Sequence, residues 1–407
     1  MNIFVVNSGS SSIKYQLFRW PAEQPVCSGL IERIGLPDSV ISHTVFSAPA
    51  EPQKLQRILE LPDHAAGLRE VVNLLTEGEA RVIQDPNDID VIGHRVVHGG
   101  EEFAATTLVT PAVKAKIKSL FALAPLHNPA NYLGIEVAEQ LFPRAKQVAV
   151  FDTAFHQTLP AHAYRYALPA ALYHEHGIRA YGFHGTSHKY VAEQAAAYLL
   201  NPAARIITVH LGNGSSITAV QGGRSVETSM GLGPMGGLVM GTRSGDIDPS
   251  IIFHLINQLG YSPEQVHTLL NKQSGMLGLT GFSDMRDVGQ AVANGDAEAT
   301  LALHLYGYRI RKYIGAYAAV LGGLDAVVFT AGVGENDAEV RRLACDGLAF
   351  LGICLDEARN QKRSRSLREI NEPAAPVKVL VIPTNEELEI ARQCVALLTA
   401  SPPGPLS

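Results

Sequence analysis

Cysteine is scarce in this chain of 407 residues. Cys27, Cys345, Cys354 and Cys394 are scattered, and no two form a CxxC pair. That spacing excludes a disulfide framework and points to a reducing, cytoplasmic setting. No run approaches the roughly 20 apolar residues of a membrane span without Gly, Pro or charge. The N-terminus has no positive stretch ahead of an apolar core, so it does not read as a signal peptide. The net charge is −6, with no block of like charge. Nothing favours nucleic acid or a membrane as a partner. The histidines between residues 156 and 176 have no HExxH spacing and no Cys partner, so they read as surface or packing residues. Walker A is also missing, so a nucleotide would have to be held in some other way.

What the chain does have is ordinary globular composition, 46% apolar and 18% charged. Its length suggests about two to three domains with large cores. Residues 3–18 read IFVVNSGSSSIKYQLF. Two β-prone runs flank a polar turn, which predicts a hairpin. The turn holds Asn7, Gly9 and serines, with Lys14 just beyond. A positive φ at Gly9 would let backbone N–H groups converge on phosphate oxygens. An ordinary serine-rich hairpin is the alternative. Residues 205–226 (RIITVHLGNGSSITAVQGGRSV) repeat the pattern, which predicts an internal duplication.

Between these hairpins, residues 19–60 carry Pro21, Pro25, Pro37, Pro49 and Pro52 and read as short edge strands. Leu68, Val71, Val72 and Leu75 mark a helix over 65–75. The strand 90–97 (DVIGHRVV) contains Arg95, which must either be paired or bind an anion. The stretch 123–129 (LAPLHNP) reads as a loop before a helix at 131–141. The strand 147–151 ends at Asp152, either a cap or a site residue at the carboxyl end of a sheet. In YGFHGTSH (181–188), glycines allow close approach to His184. A helix follows at 189–200.

Further on, glycine-rich 229–248 reads as a loop carrying Arg243. Residues 296–321 form a long helix stopped by Gly322 and Gly323. The strand 325–330 runs into AGVGEN, read as a glycine turn before a helix from Asp337. A last strand spans 377–382. Thr384 and Glu387 fit a capping box, which leaves Glu386 to face elsewhere. Residues 401–407 read as a frayed tail.

Taken in order, NSGSSSIK (7–14), GHRVVHGGE (93–101), PLHNP (125–129), FDTAFHQTLP (151–160), YGFHGTSHKYV (181–191), HLGNGSS (210–216), MGTRSGDIDP (240–249), TAGVGEN (330–336) and IPTNEEL (382–388) resemble the acetate kinase family. The resemblance covers about residues 1–398 and is thin at 19–60 and 357–375. It implies an α/β fold of duplicated actin-like (ribonuclease H-like) domains around a nucleotide cleft, within the actin, sugar-kinase and Hsp70 superfamily. The domains would be 1–150, joined by the helix 386–400, and 151–385. It also implies a homodimer that uses ATP with Mg²⁺ (Mn²⁺ is the alternative) and moves the γ-phosphoryl group reversibly to acetate, giving acetyl phosphate and ADP.

The implied roles fall on matching positions. Asn7 and Glu386 would lie at the metal, and Lys14 would serve the nucleotide phosphates. Arg95 would bind the carboxylate or the phosphoryl group. Asp152 would be the family's essential acidic residue, and His184 and Arg243 would stabilise the transition state. His210, Leu211, Gly212, Asn213 and Gly214 would contact ATP, as would Asp284, Met285 and Arg286, and Gly332, Val333, Gly334, Glu335 and Asn336. Val97, Leu126, Phe183 and Pro234 would form the methyl pocket.

Chemistry supports most of these assignments. A phosphoryl group in flight carries negative charge on three equatorial oxygens, so positioning and positive charge supply most of the catalysis. Acetate, with a carboxyl pKa near about 4, is already ionised at neutral pH. Asp152 therefore has no proton to remove. It is expected to orient an arginine, or to act through the metal or its waters. One departure stands out: where the family usually reads TPLEGL, this chain reads GPMGGL (233–238). Alternative readings are a propionate or other short-chain acid kinase, a sugar kinase using Asp152 as base, and a non-catalytic actin-like nucleotide protein.

Overall fold

The computed structural model describes residues 1–46, 51–125 and 127–400. Leu126 and the tail 401–407 lie outside the described residues, as does Pro49. The chain divides into two compact units, Met1–Ala154 together with the chain from Asn385 onward, and Phe155–Thr384.

The first unit is built on an eight-stranded sheet. Its strands are β1 (Asn2–Ser8), β2 (Ser12–Arg19), β3 (Pro25–Glu32), β4 (Ser39–Val45), β5 (Gln53–Leu59), β6 (Val91–Val96), β7 (Thr107–Leu108) and β8 (Lys146–Phe151). The order is β5-β4-β3-β2-β1-β6-β8-β7. β1 to β5 form an antiparallel meander, while β1, β6 and β8 run parallel. Side chains alternate faces along a strand. Phe4 and Val6 therefore point to one core, with Leu68, Val71 and Leu75 of the helix His64–Thr76 and with Val137 and Phe142 at the helix Asn128–Leu141. The opposite face takes the final helix, Glu386–Thr399. A Cβ at Gly93 would come within 2.6 Å of Ile390, so glycine there lets this helix lie close on β6.

The second unit carries β9 (Arg205–Leu211), β10 (Ser215–Gln221), β11 (Arg224–Thr228), β12 (Ala326–Thr330), β13 (Arg368–Glu369) and β14 (Lys378–Val381), in the order β11-β10-β9-β12-β14-β13. Ile207, Val209, Leu211, Val327 and Phe329 face the long helix Ala297–Leu321 through Leu303, Tyr306, Ile310 and Ile314. The alternate residues Ile206 and Val328 face Val191 and Ala195 of the helix Gly185–Tyr198.

β3-β2-β1-β6-β8 and β11-β10-β9-β12-β14 share one pattern: three antiparallel strands, then two parallel to the first. The duplication expected from the two hairpins is therefore present. No helix among the described residues is long and apolar enough to cross a membrane.

Several local expectations change. Gly9 does not have positive φ. A Cβ there would sit 2.8 Å from Ser12 Oγ, so the turn needs glycine for space. The helix expected at 131–141 starts at Asn128 because Pro129 suits a first turn, where its missing N–H costs nothing. The helix expected from 189 begins at Gly185, with His184 as its left-handed N-cap at φ 55°. AGVGEN is a short helix, Ala331–Asn336, capped directly by the end of β12. The capping box of Thr384 and Glu387 is not formed. Asn385 is the cap, accepting from Leu388 N at 3.1 Å, and Glu387 pairs with Lys14 instead.

Buried histidines make the fold sensitive to pH. His94 Nε2 donates to Gln147 Oε1 at 2.7 Å. Burial pushes His94 and His98 down to about 4. An unfolded imidazole takes a proton near about 6.5. Between these values only the unfolded chain binds it, so the contribution of each histidine is complete above about 6.5 and is lost as pH falls toward 4. In denaturant unfolding, the stability gap between the parent and His94→Gln should narrow by about 2 kcal/mol from pH 7 to pH 5. Titrations common to both proteins cancel in that gap. A gap independent of pH would contradict this account.

Candidate active site

In the first unit, five of the expected residues come together. β1 and β2 pair Asn7 opposite Lys14. Arg95, next to last in β6, donates through Nη2 to Asp152 Oδ2, just beyond β8, and through Nη1 to Asn7 Oδ1 at 3.3 Å. Its Nε lies 3.9 Å from Glu386 Oε2, the first residue of the final helix, and makes no hydrogen bond. Asp152 is buried, at 1% exposure. Lys14 Nζ lies 2.7 Å from Glu387 Oε1. Burial, with Asp152 and Glu387 adding repulsion, pushes the Glu386 carboxyl up to about 7 against the opposing pull of Arg95.

Two buried asparagines stabilise this corner. Asn131 accepts from Val97 N at 3.0 Å and donates to Ser8 O at 2.7 Å. It thereby ties the end of β6 to the hairpin that carries Asn7. Asn128 brackets His98 in the same way.

In the second unit, His184 and Arg243 converge on Gly214: a Cβ there would lie 3.4 Å from His184 Cε1 and 3.4 Å from Arg243 Nη1. Arg243 Nη1 donates to Pro234 O at 3.0 Å, and burial pulls its pKa down. The His184 ring stacks on His210 with centroids 4.2 Å apart. Ser187 joins His210 Nδ1 and Thr384 Oγ1, each at 2.8 Å.

A buried chain of hydrogen bonds orients His184. Thr208 Oγ donates to Thr218 O at 3.4 Å, so it accepts from His188 Nδ1 at 2.7 Å. His188, held neutral by burial, then accepts at Nε2 from Ser216 Oγ at 2.7 Å. Ser216 accepts in turn from His184 Nδ1 at 2.9 Å. The proton assignment follows from this network. With Nδ1 protonated, His184 donates from Nε2 only as an imidazolium.

The same unit holds a cavity of about 970 Å³. Gly212, Asn213, Asp284, Met285, Arg286, Gly332, Val333 and Asn336 all line it. His210, Leu211, Gly214, Gly334 and Glu335 do not. His210 stacks on His184, and Leu211 is in the core. Gly334 offers its carbonyl to Arg341 at 2.9 Å, and Glu335 accepts from Thr384 N at 3.2 Å. Val97 and Phe183 are buried. His156 donates from Nε2 to Phe183 O at 3.0 Å, so that histidine serves packing.

Residues not anticipated include Asn131, Ser187, His188, Ser216, Glu387, Arg341 and Arg368. The paired asparagines in HNPAN were the most readable signal among them. The GPMGGL departure has no steric cause: a Cβ at Gly233 would meet nothing within 4 Å, and one at Gly236 would make only ordinary contacts.

No group of three or more His, Cys, Asp or Glu among the described residues could hold a metal. Mg²⁺ needs no such cage. It binds through one or two carboxylates, substrate phosphates and waters, all hard oxygens. Glu386 and the second lone pair of Asn7 Oδ1 fit that donor set, and a crowded carboxyl pushed up to about 7 would be relieved by a cation.

Comparison with known proteins gives one answer. A family model described as the acetokinase family matches residues 2–392. The acetate kinase of Flavobacterium johnsoniae is 54% identical over 98% of this chain and 100% of its own length. The crystal structure of Porphyromonas gingivalis acetate kinase superposes with a TM-score of 0.91 at 43% identity, covering 98% of this chain and 100% of that one. A propionate kinase structure from Francisella tularensis gives 0.89 at 44% identity, covering 96% and 98%. With the match running from the first hairpin to the last helix, the chain belongs to the acetokinase family.

Proposed function

We propose that the chain acts as an acetate kinase, moving the γ-phosphoryl group of ATP reversibly to acetate by direct in-line transfer. The observation that carries this reading is Arg95. Its guanidinium is held by Asp152 and Asn7 beside Glu386, with Nε left without an acceptor. A planar fork of this kind suits a carboxylate or phosphoryl oxygen.

In this reading Arg95 binds the acetate carboxylate or the transferring group, and Asp152 fixes its orientation. The nucleophile is already ionised, so no base is needed. Arg243 and the imidazolium of His184 meet charge that develops on the equatorial oxygens. Lys14 serves the phosphate chain. The cavity lined by Asn213, Asp284, Arg286 and Asn336 takes the nucleoside. Asn7 and Glu386 would hold Mg²⁺, which when bound neutralises charge between the β- and γ-phosphates. Val97, Phe183 and Pro234 would limit the acyl group, with Leu126 as a further expected member.

The reverse reaction is the direct test: acetyl phosphate and MgADP should yield ATP in a coupled assay. No ATP with ADP shown to bind would sink the proposal. The solved propionate kinase keeps propionate as a second reading. Since one methylene is worth only about 1–3 kcal/mol, kcat/KM should favour acetate by about tenfold or more.

A homodimer is also proposed. The helix Ser250–Asn257 (SIIFHLIN) buries none of its residues, and Phe253 is 64% exposed. Leu259 and Tyr261 extend the apolar surface. Exposed apolar patches of this kind mark association surfaces. Light scattering should show a dimer for the parent and a monomer for Phe253→Asp. A dimer unaffected by that change would exclude this face.

A further inference from the structure

One wall of the second unit's cavity carries cations that make no direct ion pair: Asp337 and Glu357 act on Arg341, and Glu335 on Arg368, without a carboxylate contact to either guanidinium. Arg341 is 1% exposed. Its three nitrogens donate only to neutral acceptors: Asn360 Oδ1 at 2.8 Å, Asn360 O at 2.7 Å and Gly334 O at 2.9 Å. Arg368 donates to Ser364 O at 3.0 Å and to Glu335 O at 2.7 Å, and its buried Nε has no acceptor. Burial, with repulsion from Arg368, pushes Arg341 down to about 10. Lys362 and Arg363 line the same cavity, and their side chains have no hydrogen-bond or ion-pair partner among the described residues.

The cavity's acids are already engaged. Asp284 is bound by Arg286 at 2.5 Å and Glu339 by Arg342 at 2.6 Å. Asp337 caps a helix through Val340 N at 3.0 Å. Lys362 and Arg363 alone would read as a solvated basic loop. Arg341 does not fit that reading, because a buried charge is costly unless it is paired, and half-buried Arg368 adds a buried Nε with no acceptor beside it.

We propose that Arg341, Lys362, Arg363 and Arg368 form a subsite for one phosphate group beyond those of the reacting triphosphate. The ligand is a phosphate dianion, carried on the ribose of a nucleotide in the cavity or free in solution. Only the first source rests on the nucleotide reading.

Titration calorimetry of the full-length protein tests it with AMP, adenosine 2′,5′-bisphosphate, adenosine 3′,5′-bisphosphate and inorganic phosphate as probes. One bisphosphate should bind at least about tenfold tighter than AMP, the size expected for one added charge-assisted contact. That ratio should fall to about 1 in the double variant Lys362→Ser, Arg363→Ser. If the phosphate is free, inorganic phosphate binds in the presence of saturating ADP and is lost in the same variant, while the bisphosphates match AMP. Phosphate binding that persists in the variant, or no advantage for any added phosphate, would overturn the subsite. Failure of AMP and ADP to bind at all would instead remove the nucleotide reading, leaving the phosphate titration to decide the subsite.

Discussion

Asp152→Asn should lower kcat by about 10²- to 10³-fold, the scale of uncoupling a buried charge pair worth about 3–5 kcal/mol. The side chain keeps its shape, so the fold should survive. What changes is the environment of Arg95. Asp152 is buried and engages Arg95 Nη2, while the remaining contacts are an amide oxygen and Glu386 at 3.9 Å. Without the carboxylate, the guanidinium is free to swing toward Glu386.

The double variant separates this role from general-base catalysis. If Asp152 acts through Arg95, then Arg95→Lys combined with Asp152→Asn should lose little more than Arg95→Lys alone. Residues that act as a unit are strongly non-additive. Fully additive losses would point to an independent role for Asp152. An Asp152→Asn enzyme that kept most of its turnover at saturating Mg²⁺ and acetate would remove the role altogether.

Arg243→Ala should cost more, about 10³- to 10⁴-fold in kcat, within the range known for arginines that stabilise phosphoryl transfer. Arg243 has no carboxylate within ion-pair distance among the described residues. Its contacts are Pro234 O and, at 3.7 Å, Met240 Sδ. A half-buried cation hydrogen-bonded only to neutral groups is available to charge that appears late in the reaction. ATP affinity should change by less than about threefold, since an interaction made only in the transition state lowers kcat without weakening ground-state binding. Arg243→Lys keeps the charge but loses the fork, and should recover only a small part of the rate. Rapid-quench turnover together with equilibrium ATP binding checks both claims. A loss below tenfold would show that Arg243 serves only to fix the 229–248 loop.

The sequence made the sheets legible because each hairpin sets short β-prone runs on either side of a polar Gly/Ser turn, and because Asp296 and Gly322 bracket the long helix cleanly. Arg95 and Asp152 were readable as charged residues at the ends of apolar strands. Their mutual contact was not, because it depends on β6 and β8 being parallel neighbours. The Glu387–Lys14 pair was hidden for a different reason. Thr384 and Asn385 both offer a capping side chain, and local pattern does not choose between them. The start of the helix Asn128–Leu141 was hidden because Pro129 reads as a loop residue, although it sits in the first turn. The relay from Thr208 through His188 to His184 joins two strands and a helix far apart in sequence, so no spacing rule could assemble it. Arg341 lay in an ordinary amphipathic stretch, and only its burial sets it apart.

The most direct measurement is acyl phosphate formation trapped with hydroxylamine, using ATP, Mg²⁺ and matched series of acetate, propionate and butyrate. The account predicts acetohydroxamate, with kcat/KM falling from acetate to propionate to butyrate. A preference for propionate would contradict the acyl assignment and point to the glycine-rich 233–236 loop. No hydroxamate from any acid, with ATP bound, would contradict phosphoryl transfer to a carboxylate by this chain.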